Sequence, residues 1–297
     1  MASDRAPSPR LVEPAPLAAL WSARLPRLAA VAVIQLVLLL LAISMVVPYV
    51  FMIANSFKTT ANFLTDPYGL LPRPLSLEAY LQAFELGSAF VYLRNSVLYA
   101  TTVLVVQLTI DTLAAFAFAR LRFRGRDLIF YALLGEMMLP GTVTLIPSYL
   151  IVRALGLANS YPGVVSTGLA GAFGIFLLRQ FFLSIPSDLE DAAVIDGANK
   201  LQVLHKIIVP LAKPALITLG IFLFSDQWTS FIWPLVVISD QAKYPITVGI
   251  ALFRDQQWTY WNMVFASSVI ASFPLIVVFF FGQRYIIGGI SLSGMKG

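Results

Sequence analysis

Between Arg27 and Lys58 the chain carries no charged side chain. An apolar run of that length has few possible fates. A bilayer core takes about 20 apolar residues as a helix. A cleavable leader has an apolar core of only about 7–15 residues ahead of a small-residue cleavage site. The run therefore reads as a retained membrane span. Lipid offers no partner to unpaired backbone groups, so the span has to be helical.

The same reading applies along the chain. Six segments qualify: 28–54; 95–119, containing Asp111; 128–152, containing Glu136; 161–178; 214–238, containing Asp226; and 261–283. Composition agrees. The 297 residues are 59% apolar and 12% charged, where soluble domains carry about 25% charged residues. The predicted fold class is an all-α membrane protein with a six-helix domain over 28–285. A Pro-rich, polar, disordered N-terminus precedes it over 1–27, and a tail follows over 286–297. The net charge of +5 has no basic face beside soluble structure to work from, so nucleic acid is not an expected partner. Cysteine is absent and His205 is the one histidine, so neither a metal site nor a catalytic constellation is expected.

Orientation follows from Lys and Arg in the loops. One side holds fourteen: Arg5, Arg10, Arg24, Arg27, Arg120, Arg122, Arg124, Arg126, Arg179, Lys200, Lys206, Lys213, Arg284 and Lys296. The other holds six: Lys58, Arg73, Arg94, Arg153, Lys243 and Arg254. The richer side is expected to be cytoplasmic, with both termini inside. Outside, Leu77, Tyr80, Leu81 and Phe84 fall at i, i+3, i+4 and i+7, which predicts a helix lying on the membrane surface. The aromatics of RDQQWTYW suit the interface.

One sizeable charged insertion interrupts the later spans: residues 187–210, SDLEDAAVIDGANKLQVLHKIIVP, on the predicted cytoplasmic side. Ser187 followed by Glu190 reads as a capping box. Asp188, Glu190 and Asp191 favour a helix first turn, Gly197 ends or bends that helix, and Pro210 is expected to stop a second helix begun near Lys200. The pattern is two short helices about a glycine elbow. On helix signals alone, an amphipathic connector explains it equally well.

The residues narrow this. Asp191, Ala192, Ala193, Gly197, Ile207 and Pro210 fall at the spacings of Glu-Ala-Ala, three residues, Gly, nine residues, Ile-x-Leu-Pro. The stretch resembles the EAA loop of permease subunits of bacterial ABC importers, with Asp191 standing for Glu and Val209 for Leu. The resemblance covers about residues 30–297. AFAFARLRFRGRD, MMLPGTVTLIPSYLIVRALGL, FIWPLV and the ending GISLSGMKG resemble the second permease subunit of maltose-type importers, although Thr229 and Ser230 stand where that family often has Asn and Glu.

The resemblance implies a type I importer permease fold and a coupling helix seated on an ATP-hydrolysing subunit. Glu190, Asp191, Ala192, Ala193, Asp196, Gly197, Ile207 and Pro210 would carry the coupling, and the fifth and sixth spans would move with it. Gly294, Lys296 and Gly297 would reach between the ATPases. Implied partners are a second permease, two ATP-binding subunits carrying ATP and Mg, an extracytoplasmic solute-binding protein and the lipids around the spans. No cofactor is expected on this chain, which lacks a GxxxxGK[ST] loop.

Acidic residues in spans are expensive and mark a pathway or a partner. Asp111 and Glu136 are read as structural. Asp226, with Gln227 and Trp228, is a candidate sugar pathway, since sugars are held by aromatic faces and hydrogen-bonding groups. A self-sufficient transporter using Asp111, Glu136 or Asp226 as ion sites is the alternative, but it leaves the EAA spacing unexplained.

Overall fold

Helices account for the regular structure, and no strand occurs among the described residues. The structure, a computed structural model, describes residues 17–85, 88–253 and 260–293, with side chains described between residues 30 and 285. The chain divides into two units, Met1–Phe51 and Met52–Gly297. Helix α1 (Leu17–Ser56), whose residues up to Phe51 belong to the first, begins well before the expected start at residue 28. From Val31 to Val50 its large apolar side chains are exposed all round, the signature of a helix solvated by lipid.

The second unit is built on α4 (Ala89–Arg120), α8 (Ala172–Ser184) and α11 (Lys213–Thr229). Their facing sides bury Ala115, Phe116, Leu178, Phe182, Leu219 and Leu223 in one cluster. The last long helix, α14 (Trp261–Ser293), runs antiparallel to α11. Trp228 donates to the Ala271 carbonyl at 2.9 Å, and a Cβ on Gly282 would meet Ile221. The short helices α2 (Thr60–Thr65) and α3 (Glu78–Glu85) pack on α14. In α3 the packed face is Ala79 and Ala83, both fully buried, while Leu77, Leu81 and Phe84 point outward. Most of the apolar stripe read from sequence is therefore the outer face, while Tyr80 is half-buried against Ser56 and Phe57, and the small residues make the close contact.

Three helices, Ala30–Ser56, Ala89–Arg120 and Trp261–Tyr285, are long and apolar enough to cross a membrane unaided; up to six spans result if each bent helix pair is one span. The expected third span, 128–152, is broken into α5 (Arg126–Glu136) and α6 (Gly141–Ala154), with a 105° bend. The residue before a proline is pushed out of helical conformation, so the helix ends ahead of Pro140. The fourth bends by 44° between α7 (Tyr161–Gly168) and α8. Here the freed Gly171 N–H donates to the buried Asp111 carboxylate at 3.1 Å, so Asp111 serves the break in a neighbouring span. The fifth breaks after Thr229. The Ser230 carbonyl accepts from the Thr247 hydroxyl at 2.7 Å, and the chain resumes as α12 (Ile232–Val237). Glu136 is exposed.

Residues 237–246, from the end of α12 to α13 (Ile246–Ala251), are tied to the opposite end of the unit from Arg120. Asn95 donates to the carbonyls of Ala242 and Tyr244, Tyr99 to that of Lys243, and Ser96 accepts from the Ile246 N–H. The Asn159 side chain accepts from the N–H groups of Ser239 and Asp240. Of the interface aromatics, Trp258 lies outside the described residues, as do Gly294, Lys296 and Gly297.

Candidate functional site: the coupling segment

The segment at 187–210 folds as two short helices, α9 (Asp188–Ile195) and α10 (Lys200–Leu211). Three acidic residues occupy the first turn of α9. The expected Ser187–Glu190 capping box is absent, because Ser187 is itself helical and its side chain makes no cap bond. Glu190 has been taken by another partner. Its Oε1 lies 2.6 Å from Nε of Arg120, the last residue of α4, with side chains 9% and 12% exposed. The two atoms make no aligned hydrogen bond, so this is a charge contact. The guanidinium's outer nitrogen donates to the carbonyls of Phe182 and Ile185 at 2.7 and 2.6 Å. Those carbonyls end α8, where helix ends present unpaired acceptors and favour positive charge.

The turn after α9 is the glycine elbow expected from sequence. Gly197 sits at φ +86°, and its N–H bonds to the Val194 carbonyl while Ala198 bonds back to Ala193. That pair of bonds is a Schellman closure, which requires a left-handed residue after the helix. Ala193 and Ala198 both pack on the core cluster. A reciprocal capping box then starts α10. Gln202 N–H donates to Asn199 Oδ1 at 2.9 Å, and Asn199 N–H to Gln202 Oε1 at 2.8 Å.

Pro210 does not stop α10. A π turn at Leu204–Ile208 precedes it, with Val209 N–H reaching back to the Leu204 carbonyl, and the helix runs on to Leu211. The wide turn accommodates the missing proline N–H. The stop comes at Ala212, where the path turns 80° into α11. Val203, Leu204 and Ile208 are essentially fully buried in the cluster of α4, α8 and α11. Burying each side chain contributes about 1.5–3 kcal/mol, so the segment is fastened to the spans.

The implied coupling residues therefore divide. Glu190 faces inward, Ala193 and Ile207 are half-buried, and Asp191, Ala192, Asp196, Gly197 and Pro210 are exposed. Beside them stand Ile195, 86% exposed, and Leu189 and Leu201, an apolar patch flanked by carboxylates. The reading from sequence did not single out Ile195 or Arg120. The signal for Arg120 was its place as the basic residue closing a long helix.

The pathway candidates separate too, since consecutive helical residues point about 100° apart. Trp228 is buried against α14 and stacks on Phe224 at 5.5 Å. Gln227 is half-buried near Gly168, and Asp226 is exposed. They do not share one pocket.

Residues 112–291 match the family model of the binding-protein-dependent transport system inner membrane component. The chain belongs to this family. It is a membrane permease subunit of the ABC importer type I fold. The permease is 31% identical over 265 residues to the diacetylchitobiose uptake system permease protein of Streptomyces coelicolor, covering 88% of this chain and 87% of that one. It is 32% identical over 264 residues to the trehalose/maltose transport system permease protein of Thermococcus litoralis, covering 87% and 94%. Among solved structures, the permease is similar to a chain of a bacterial ABC transporter involved in the import of the acidic polysaccharide alginate. The TM-score is 0.78 at 27% identity, covering 86% of this chain and 96% of that chain.

Proposed function

We propose that this permease is one of two related membrane subunits of an importer for oligosaccharides, and that the exposed face of α9 is where a separate ATP-hydrolysing subunit docks. The observation carrying the reading is the coupling segment. An apolar, acid-flanked patch around Leu189, Ala192 and Ile195 stands outward from helices whose inner faces are locked into three spans. ATP and Mg reside on two partner ATPases, a solute-binding protein delivers cargo outside, and lipid covers the exposed apolar helices. The loop charges support a cytoplasmic location for both termini and for residues 187–210, with Gly294, Lys296 and Gly297 proposed to reach the ATPases. The sugar reading rests on relatives named for diacetylchitobiose and trehalose/maltose. Asp226, an exposed carboxylate in the fifth span, would repel a polyanion. It therefore favours neutral sugars over an acidic polysaccharide.

Reconstitution tests this. The complex with the ATPases, second permease and binding protein, assembled in lipid nanodiscs, should hydrolyse ATP faster when the binding protein is loaded from a panel of diacetylchitobiose, trehalose, maltose and arabino-oligosaccharides. Gly197→Val and Asp191→Lys should each lower that stimulation by about tenfold while the complex still assembles. Unchanged stimulation in both variants refutes the docking role. Robust ATP-independent uptake by this chain alone in vesicles refutes the importer reading.

A further inference from the structure

Arg120 lies outside the EAA spacing, at the end of the second span, seventy positions before Glu190. Yet its guanidinium touches three elements at once: α4, which carries it; the C-terminal carbonyls of α8, Phe182 and Ile185; and Glu190 on α9. We propose that Arg120 is the positioning residue that makes α9 and the second and fourth spans move as one body, so that displacement of the docked helix is delivered to those spans. This rests on the docking reading of α9.

Three observations support it. The covalent link from α8 to α9 is the short run Ile185–Pro186–Ser187; Ile185 is buried in the core cluster at the α8 end, and at the α9 end Ser187 supplies no cap. The apolar fastening of the segment belongs to α10, through Val203, Leu204 and Ile208, with Ala193 the half-buried contribution of α9. The polar contact holding the first turn of α9 is therefore the charge pair of Glu190 with Arg120, both nearly removed from solvent. A planar guanidinium suits this place because it presents several donors at fixed angles, which an ammonium does not. The two carbonyls hold the guanidinium through one nitrogen, and its Nε lies against Glu190 as a charge contact. The sixth span, α14, has no part in this contact, so the spans driven most directly are the second and fourth.

The test uses the whole complex in nanodiscs with its ATPases and binding protein. The chain has no cysteine, so Asp188→Cys on α9 and Val105→Cys on the outward face of α4 take two spin labels and report one distance. It is measured without nucleotide and after trapping with Mg-ATP and vanadate. A second label pair across the two ATPases reports their closure. In the otherwise unchanged chain the α9–α4 distance should stay within about 2 Å on closure, the scale of a packed helix adjustment. With Arg120→Gln it should shift or split by more than about 5 Å, a full helical turn. Glu190→Gln, which keeps the shape of the side chain and removes its charge, should do the same and serves if Arg120→Gln fails to fold. A residue that merely stabilises the fold would lower the yield and leave the trapped distance alone. The inference is overturned if the unchanged chain itself shifts by more than about 5 Å, or if both variants keep its distance in both states. Failure of the ATPases to assemble or to close overturns the docking reading instead, and the inference with it.

Discussion

Gly174 lies where α8 crosses α4, and a Cβ there would stand 2.0 Å from Oδ2 of Asp111. Asp111 is held in turn by Gly171, so it cannot swing away freely. Gly174→Ala should destabilise the solubilised protein by about 1–3 kcal/mol, the usual cost of overpacking. Adding Asp111→Ala should recover part of the loss, because the obstructing atom is gone; thermal unfolding of the two variants side by side checks this. Trp228 gives a second prediction. Trp228→Phe keeps the stack on Phe224 and loses the bond to the Ala271 carbonyl, worth about 1 kcal/mol. The melting temperature should fall by about 2–4 °C with the transport KM unchanged, whereas Asp226→Asn should change KM. A changed KM in Trp228→Phe would put the indole in the sugar path.

At the scale of elements, the caps decide how firmly the coupling segment is formed. Asn199→Ala removes one arm of the reciprocal box that starts α10, at a cost of about 1 kcal/mol. Amide exchange over residues 200–204 should speed up about fivefold, a change that hydrogen-exchange mass spectrometry resolves. This box was legible in the sequence, since Asn199-x-x-Gln202 has the spacing that the reading assigned instead to Ser187-x-x-Glu190. The pattern at Ser187 misled because capping is a local signal, while Glu190 answers to Arg120, far away in the chain. The spans show the same division. Long apolar runs revealed that helices exist there, and Gly197 showed where one ends. The breaks at Pro140, at Gly171 and after Thr229 escaped, although Pro140 was in view. Hydropathy adds across a bend without registering it, and what satisfies the freed groups, Asp111 or Thr247, comes from other elements.

For the whole molecule, both ends of the larger unit rest on buried apolar clusters. One end is also laced by Asn95, Tyr99 and Asn159, bonded to the backbone of residues 237–246, and by Lys243 donating to the Asn159 carbonyl. The other adds the charge contact of Arg120 with Glu190. Orientation of these ends in the cell is open to direct measurement, because the chain has no native thiol. In inside-out vesicles a membrane-impermeant maleimide should label Ile195→Cys and spare Gln241→Cys, both exposed positions. Right-side-out vesicles should give the reverse, and the same pattern in both would contradict the assigned topology.

The contact between Arg120 and Glu190 also bears on how the chain is made. Two membrane crossings separate the residues, so they meet only when both crossings have been completed. A nascent chain that skipped one would strand a cation at one face of the bilayer and an anion at the other. The ion pair can thus close only over an even number of passages.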